Sequence, residues 1–167
     1  MKLRFLACAA LALAITAPAA AQLRVPQVVQ RVIPGTRGPP PPVVVGIDTL
    51  RADFKLKSGS DVVYFAGNTT GLSPNTQQVL TAQAAWLRQH PGVVVRIEGH
   101  ADLSDTRDHA LAVGARRAIE VRDYLILLGV PAAQLSAMSW GKERAAVGGM
   151  SPQALARNRR VETVLVR

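Results

Sequence analysis

The sequence predicts an α+β domain, a two-layer α/β sandwich with helices on one face of a mixed sheet. Three observations lead there. Runs rich in β-branched and aromatic residues at 62–65, 93–98 and 161–166 read as strands. The segments between them carry apolar residues at helical spacing, bracketed by start and stop signals. The stretch from Val43 onward, about 120 residues, is long enough to bury a core of its own. The resulting order is β-α-β-α-β-(α)-β.

Val43-Val44-Val45 reads as an entry strand, and Leu56 to Ser60 as a loop or short strand. Val62-Val63-Tyr64-Phe65 is the first clear strand, broken by Gly67, Asn68 and Gly71. Ser73-Pro74 opens a helix, because serine caps free amide groups and proline suits the first helical position. Val79, Ala82, Trp86 and Leu87 continue it, and His90-Pro91-Gly92 stops it. The Val-Val-Val run within Val93 to Glu98 suits a central strand. A longer helix follows from about Arg107 to Leu128, with Leu111, Gly114, Ala118, Val121, Leu125 and Leu128 on one stripe. Gly129 and Pro131 end it. Leu135 to Trp140 is a strand bounded by Gly141, Ser151-Pro152 opens a short helix, and Val161 to Val166 is the last strand.

The N-terminal region has a different character. Lys2 and Arg4, the apolar run Phe5 to Ile15 and Ala19-Ala20-Ala21 predict a secretory signal over 1–21. The apolar run is too short to span a bilayer comfortably, so no transmembrane segment is expected in the mature chain. Cys8, the single cysteine, lies inside that signal, so the exported chain has no disulfide and no thiolate chemistry. Leu6-Ala7-Cys8 resembles part of a lipobox, but most of the apolar run comes after the cysteine. Residues 22–42 are proline-rich, ending in four prolines, and read as an extended linker. The domain proper is then 43–167. Removing the signal leaves 18 basic against 11 acidic residues, a net charge of +7. That charge suits polyanionic surroundings, and export argues against nucleic acid. A basic surface that only aids solubility fits the charge equally well.

The chemistry concentrates at Ile97-Glu98-Gly99-His100-Ala101-Asp102 and at Ala115-Arg116-Arg117-Ala118. A carboxylate follows the end of an apolar strand, and a guanidinium comes 15 positions later on the next helix. Such a pair can grip both ends of an amino-acid-like ligand, ammonium on Asp102 and carboxylate on Arg117. Plainer readings stand beside this one: Asp102 as a helix cap, or Arg117 as a structural bridge to Asp102 or Asp105. His100, Asp102, Asp105, Asp108 and His109 do not make a zinc pattern, having neither HExxH nor a cysteine pair, so no metal or cofactor is expected. Ser104, Asp108 and His109 come without a nucleophile elbow or paired catalytic carboxylates, so the chain does not read as an enzyme. Asn158-Arg159-Arg160 has two open readings: a functional one, contact with the acidic wall or docking of the loop below the site, and a structural one, an ion pair to Glu162, Glu143 or Glu98. Trp86 and Trp140 read as core residues.

Several segments together carry a resemblance. Val63-Tyr64-Phe65, Glu98-Gly99-His100-Ala101-Asp102, Arg116-Arg117-Ala118-Ile119-Glu120-Val121, Gly141-Lys142-Glu143 and Asn158-Arg159-Arg160-Val161-Glu162 follow in order. The stretch from about 58 to 167 resembles the OmpA-like C-terminal domain, found also in peptidoglycan-associated lipoproteins and flagellar stator proteins. The resemblance implies a non-catalytic domain of the Gram-negative periplasm, associated with the outer membrane or cell wall. Such a domain binds peptidoglycan through the diaminopimelate of its stem peptide. It further implies Asp102 for the ammonium and Arg117 for the carboxylate, with Asn68, His109 and Val113 around them and backbone groups of 66–68 assisting. The chain departs from the family pattern at Asn68 (commonly Asp), Asp105 (Gly), Ala110 (Asn), Val113 (Leu) and Ala145 (Pro), which implies weaker binding or altered selectivity. An envelope or outer-membrane protein is the other partner the resemblance implies. The alternative it leaves is a diverged module that docks on such a protein instead of the wall.

Overall fold

A computed structural model describes residues 46–166. The expected signal at 1–21, the linker at 22–42 and the entry strand Val43-Val44-Val45 lie outside the described residues. Nine elements follow one another: α1 (Ile47–Ser58), β1 (Val62–Tyr64), α2 (Pro74–Gln89), β2 (Val95–His100), α3 (Arg107–Leu127), a 3-10 turn (Ala132–Gln134), β3 (Leu135–Gly141), α4 (Pro152–Asn158) and β4 (Arg160–Leu165). The strands form one sheet in the order β1-β4-β2-β3. β2 runs parallel to β3 and antiparallel to β4, and β1 is antiparallel to β4. The sheet is therefore mixed and β2 is central, as expected, although it begins at Val95, so only the last valine of the run lies in it.

The caps act where the sequence places them. Ser73 accepts from the amide of Thr76 at the start of α2, and Ser151 accepts from Ala154 at the start of α4. α3 is capped by Thr106, whose side chain accepts from the amide of His109. Asp102 therefore does not cap that helix. Val63, Val95, Ile97, Val161 and Leu165 of the sheet meet Leu80, Ala84 and Leu87 of α2 and Ala118, Val121 and Leu125 of α3 in a single core.

The helix α1 corrects the expectation of loop or short strand around Leu56 to Ser60. Of its twelve residues only Phe54 and Ser58 are buried, and Leu56 is exposed. No side chain caps its N-terminus. Ile47, Leu50 and Phe54 recur at helical spacing and pack on the core, but so short a stripe is a weak signal, and tertiary contacts hold the helix. The Phe54 ring meets Trp86 edge-on at 5.1 Å, the indole nitrogen of Trp86 donates to Asp53 at 2.6 Å, and Arg51 donates to the carbonyl of Leu165 at 2.9 Å.

Two glycines bring α3 down on β2. A Cβ on Gly99 would collide with the main-chain carbonyl of Gly114, and one on Gly114 would strike the Ser139 hydroxyl. Only glycine permits this approach. One residue later the β2–β3 register slips: Gly99 faces Ser139, His100 faces Gly141, and Trp140 is left as the extra residue. Such a bulge re-aims the chain. The chain leaves the sheet there and delivers Asp102. Among the described residues no helix is long and apolar enough to cross a membrane.

Candidate functional site

Asp102 lies two residues past the end of β2 and is buried. One carboxylate oxygen accepts from the amide and the hydroxyl of Ser104, and the other accepts from Nη1 of Arg159 at 2.9 Å. Burial alone pushes this carboxyl up. The Ser104 hydroxyl, the Arg159 guanidinium and the Ser104 amide outweigh it and hold the group below the usual carboxylate range. Asp102 is thus a buried, ionised anion whose charge partner comes from the segment between α4 and β4.

Arg117 is fully buried on the inner face of α3. Its three nitrogens donate to main-chain carbonyls: Nε to Thr69 at 3.1 Å, Nη1 to His100 at 3.0 Å, and Nη2 to Gly67. The guanidinium also lies over the Phe65 ring, 5.1 Å from its centroid. Burial, and then the neighbouring Arg159, draw its pKa below the ordinary arginine value, while Asp102 and Asp105 oppose this. Asp102 and Arg117 therefore feel each other's charge but do not share a hydrogen bond. The expected structural bridge from Arg117 to Asp102 or Asp105 is replaced by a three-pronged clamp that ties the 67–69 loop and the end of β2 to α3.

The remaining expected residues spread around this pair. Asn68 is exposed on the clamped loop, between the two residues whose carbonyls Arg117 holds. Val113 is buried and packs with Ala101 and Ala110 in a small separate cluster under the Asp102 turn. His109 is exposed on the first turn of α3, with Nδ1 3.1 Å from an Asp105 carboxylate oxygen. Its imidazole is turned to a carboxylate and not to Asp102.

The Asn158-Arg159-Arg160 run divides its labour. Asn158 is fully buried and pins the β3–α4 loop, accepting from the amides of Ala146 and Val147 and donating to the carbonyl of Val147. Arg159 takes Asp102 and, through Nε, the carbonyl of Phe65 at 3.4 Å. Arg160 pairs with Glu162 at 2.6 Å, one of the ion pairs the plainer sequence reading allows. Arg159 is the site residue that sequence reasoning did not single out. The signal available was its place among adjacent arginines, but only the folded chain shows which of them reaches Asp102, 57 residues away.

Beside Arg159 opens a groove of about 830 Å³, lined by Tyr64, Phe65, Ser73, Val147, Arg157 and Arg159 among others. Two residues before Asp102, His100 is buried, and neither ring nitrogen is hydrogen-bonded among the described residues. Its pKa is lowered to about 4, first by burial and then by Arg160. Glu98 accepts from Arg96 and from the indole of Trp140, whose ring carries Arg144 at 3.4 Å. Trp140 is therefore only half-buried, whereas Trp86 is a core residue.

A model of the family described as "OmpA family" matches residues 64–159, more than half of the chain. The peptidoglycan-associated lipoprotein of Agrobacterium fabrum is 40% identical over 113 residues, which is 68% of this chain and 63% of that protein. The chain thus spans a little less than two thirds of that relative's length. The crystal structure of the peptidoglycan-associated lipoprotein from Burkholderia pseudomallei superposes with a TM-score of 0.63 at 35% identity, over 65% of this chain and 92% of that one. The C-terminal domain of Helicobacter pylori MotB gives a TM-score of 0.60 at 23% identity, over 64% and 84% of the two chains, and shares the fold.

Proposed function

This chain belongs to the OmpA family, and on that premise we propose that it binds peptidoglycan non-covalently through the diaminopimelate of the stem peptide. Its place is the periplasm, where it holds itself or an envelope partner to the cell wall. The role is one of binding and not of catalysis. The observation that supports this best is Asp102, a carboxylate kept ionised at the tip of the central strand, within the field of Arg117. An ammonium on the ligand takes the position that Nη1 of Arg159 occupies in the free protein. The ligand's carboxylate is drawn by Arg117 and by the loop that Arg117 clamps. Selecting both ends of a zwitterion disfavours simple amines and simple acids, since each makes only one of the two charge-assisted contacts.

One specific observation favours the other reading, a module that docks on an envelope protein and binds the wall weakly or not at all. Both charged residues are satisfied internally, Asp102 by Arg159 and Ser104, and Arg117 by three carbonyls. Retention on purified sacculi separates the two. The proposal expects retention at low and high salt, competition by free diaminopimelate, and loss of retention in Asp102→Asn with its circular dichroism unchanged. Retention that is equal in wild type and Asp102→Asn, and removed by high salt, means non-specific charge attraction and overturns the wall-binding reading.

A further inference from the structure

The groove beside Asp102 has a chemistry of its own. Its walls come from the end of β1, the start of α2, the β3–α4 loop and α4, and they are mostly apolar. Among the described residues, the only charged side chains lining it are Arg157 and Arg159. Arg159 is committed to Asp102. Arg157 is exposed in the last turn of α4 and forms no salt bridge or side-chain hydrogen bond among the described residues. A free guanidinium over an apolar floor, with the Tyr64 side chain half-exposed and Ser73 at the rim, suits a carboxylate on a partly apolar ligand. At about 830 Å³ the groove is the size of a multi-residue ligand, larger than the end of one amino acid requires. Arg159 belongs both to this groove and to the Asp102 site, so the two are continuous.

We infer that this groove is a second subsite, with Arg157 as its reader, for the carboxylate-bearing residue that neighbours the diamino acid in an acidic peptide. The inference rests on the diaminopimelate reading above and extends it from one residue to the peptide around it. Charge complementarity selects the occupant. A neutral or basic peptide leaves Arg157 without a counter-ion, whereas an acidic neighbour on the ligand supplies one.

The test is calorimetry on the full chain with three probes. These are free diaminopimelate, a synthetic tripeptide in which a residue with a free carboxylate precedes diaminopimelate, and the same tripeptide with that carboxylate amidated. The free-acid tripeptide is expected to bind about tenfold tighter than the amidated one, the scale of one charge-assisted hydrogen bond at a partly exposed site. Arg157→Gln, on an exposed side chain, is expected to make the two tripeptides equal and to leave free diaminopimelate unchanged. If diaminopimelate binds but the tripeptides do not differ, or differ equally in Arg157→Gln, the groove assignment is overturned while the Asp102 site stands. If none of the three binds, both fall.

Discussion

The Asp102 carboxylate and Nη1 of Arg159 lie 2.9 Å apart, and this bond joins the tip of the central strand to the start of its antiparallel neighbour. It is nearly dry, with the Asp102 side chain 5% and the Arg159 side chain 18% exposed. Arg159→Ala strands a buried anion on Ser104 alone. The expected cost is about 2 kcal/mol at neutral pH, because the arginine is not wholly removed from solvent. The pH dependence carries a defined sign. The folded pKa of Asp102 is depressed, so its stabilisation is present above the unfolded value of about 3.9 and fades as pH falls through the folded value. Without Arg159, burial dominates and the Asp102 pKa rises. Urea unfolding at pH 7 and an NMR titration of the Asp102 side chain check both; an unmoved titration sinks the account.

Arg117→Lys is a second test. A lysine keeps the charge but is a single flexible donor group, whereas Gly67, Thr69 and His100 present three carbonyls to a planar fork. The expected loss is about 3 kcal/mol, with amide exchange accelerated at 67–70 before the rest of the domain. Uniform acceleration, or none at 67–70, means the clamp does not hold the loop.

Most of the sheet and both long helices are legible in the sequence because their signals are local. Ser73-Pro74, Ser151-Pro152, the valine run before Glu98 and Gly129 each act within a few residues of where they stand. The helix α1 is harder to read, since its stripe is only Ile47, Leu50 and Phe54, and the Trp86 ring that Phe54 meets lies 32 positions away. The candidate site divides along the same line. Placing Asp102 after a strand and Arg117 on a helix needs only local pattern. Arg159 on Asp102 and three carbonyls on Arg117 are long-range choices, and composition supplies several arginines that compete for the same carboxylate.

The meeting of Gly99 and Gly114 predicts a steep penalty that is steric and involves no charge. Gly99→Ala puts a methyl group into the Gly114 carbonyl, and neither backbone can yield without lifting α3 off β2. A destabilisation of about 3 kcal/mol is expected, at the upper end for overpacking a core. Gly92→Ala serves as the control, because the space around that position is open. Equal midpoints for the two variants in urea contradict the close approach.

His100 sets the acid limit. Its imidazole is buried to 2% exposure, and both nitrogens are without partners among the described residues. Protonation would place a cation beside Arg160 and Arg144, with Glu98 and Glu162 compensating only in part. Its pKa is therefore lowered from 6.5 to about 4, burial first. Between those values the unfolded chain takes up a proton that the folded one refuses, so stability drops as pH falls. The drop is on the order of 3 kcal/mol and is complete near pH 4. In His100→Leu the proton and two unsatisfied nitrogens are gone, and that part of the pH dependence goes with them. Unfolding free energies measured from pH 7 to 4 are expected to fall more steeply for the wild type than for His100→Leu. Parallel curves would show that the imidazole is protonated as readily in the folded chain as in the unfolded one, against the burial seen here.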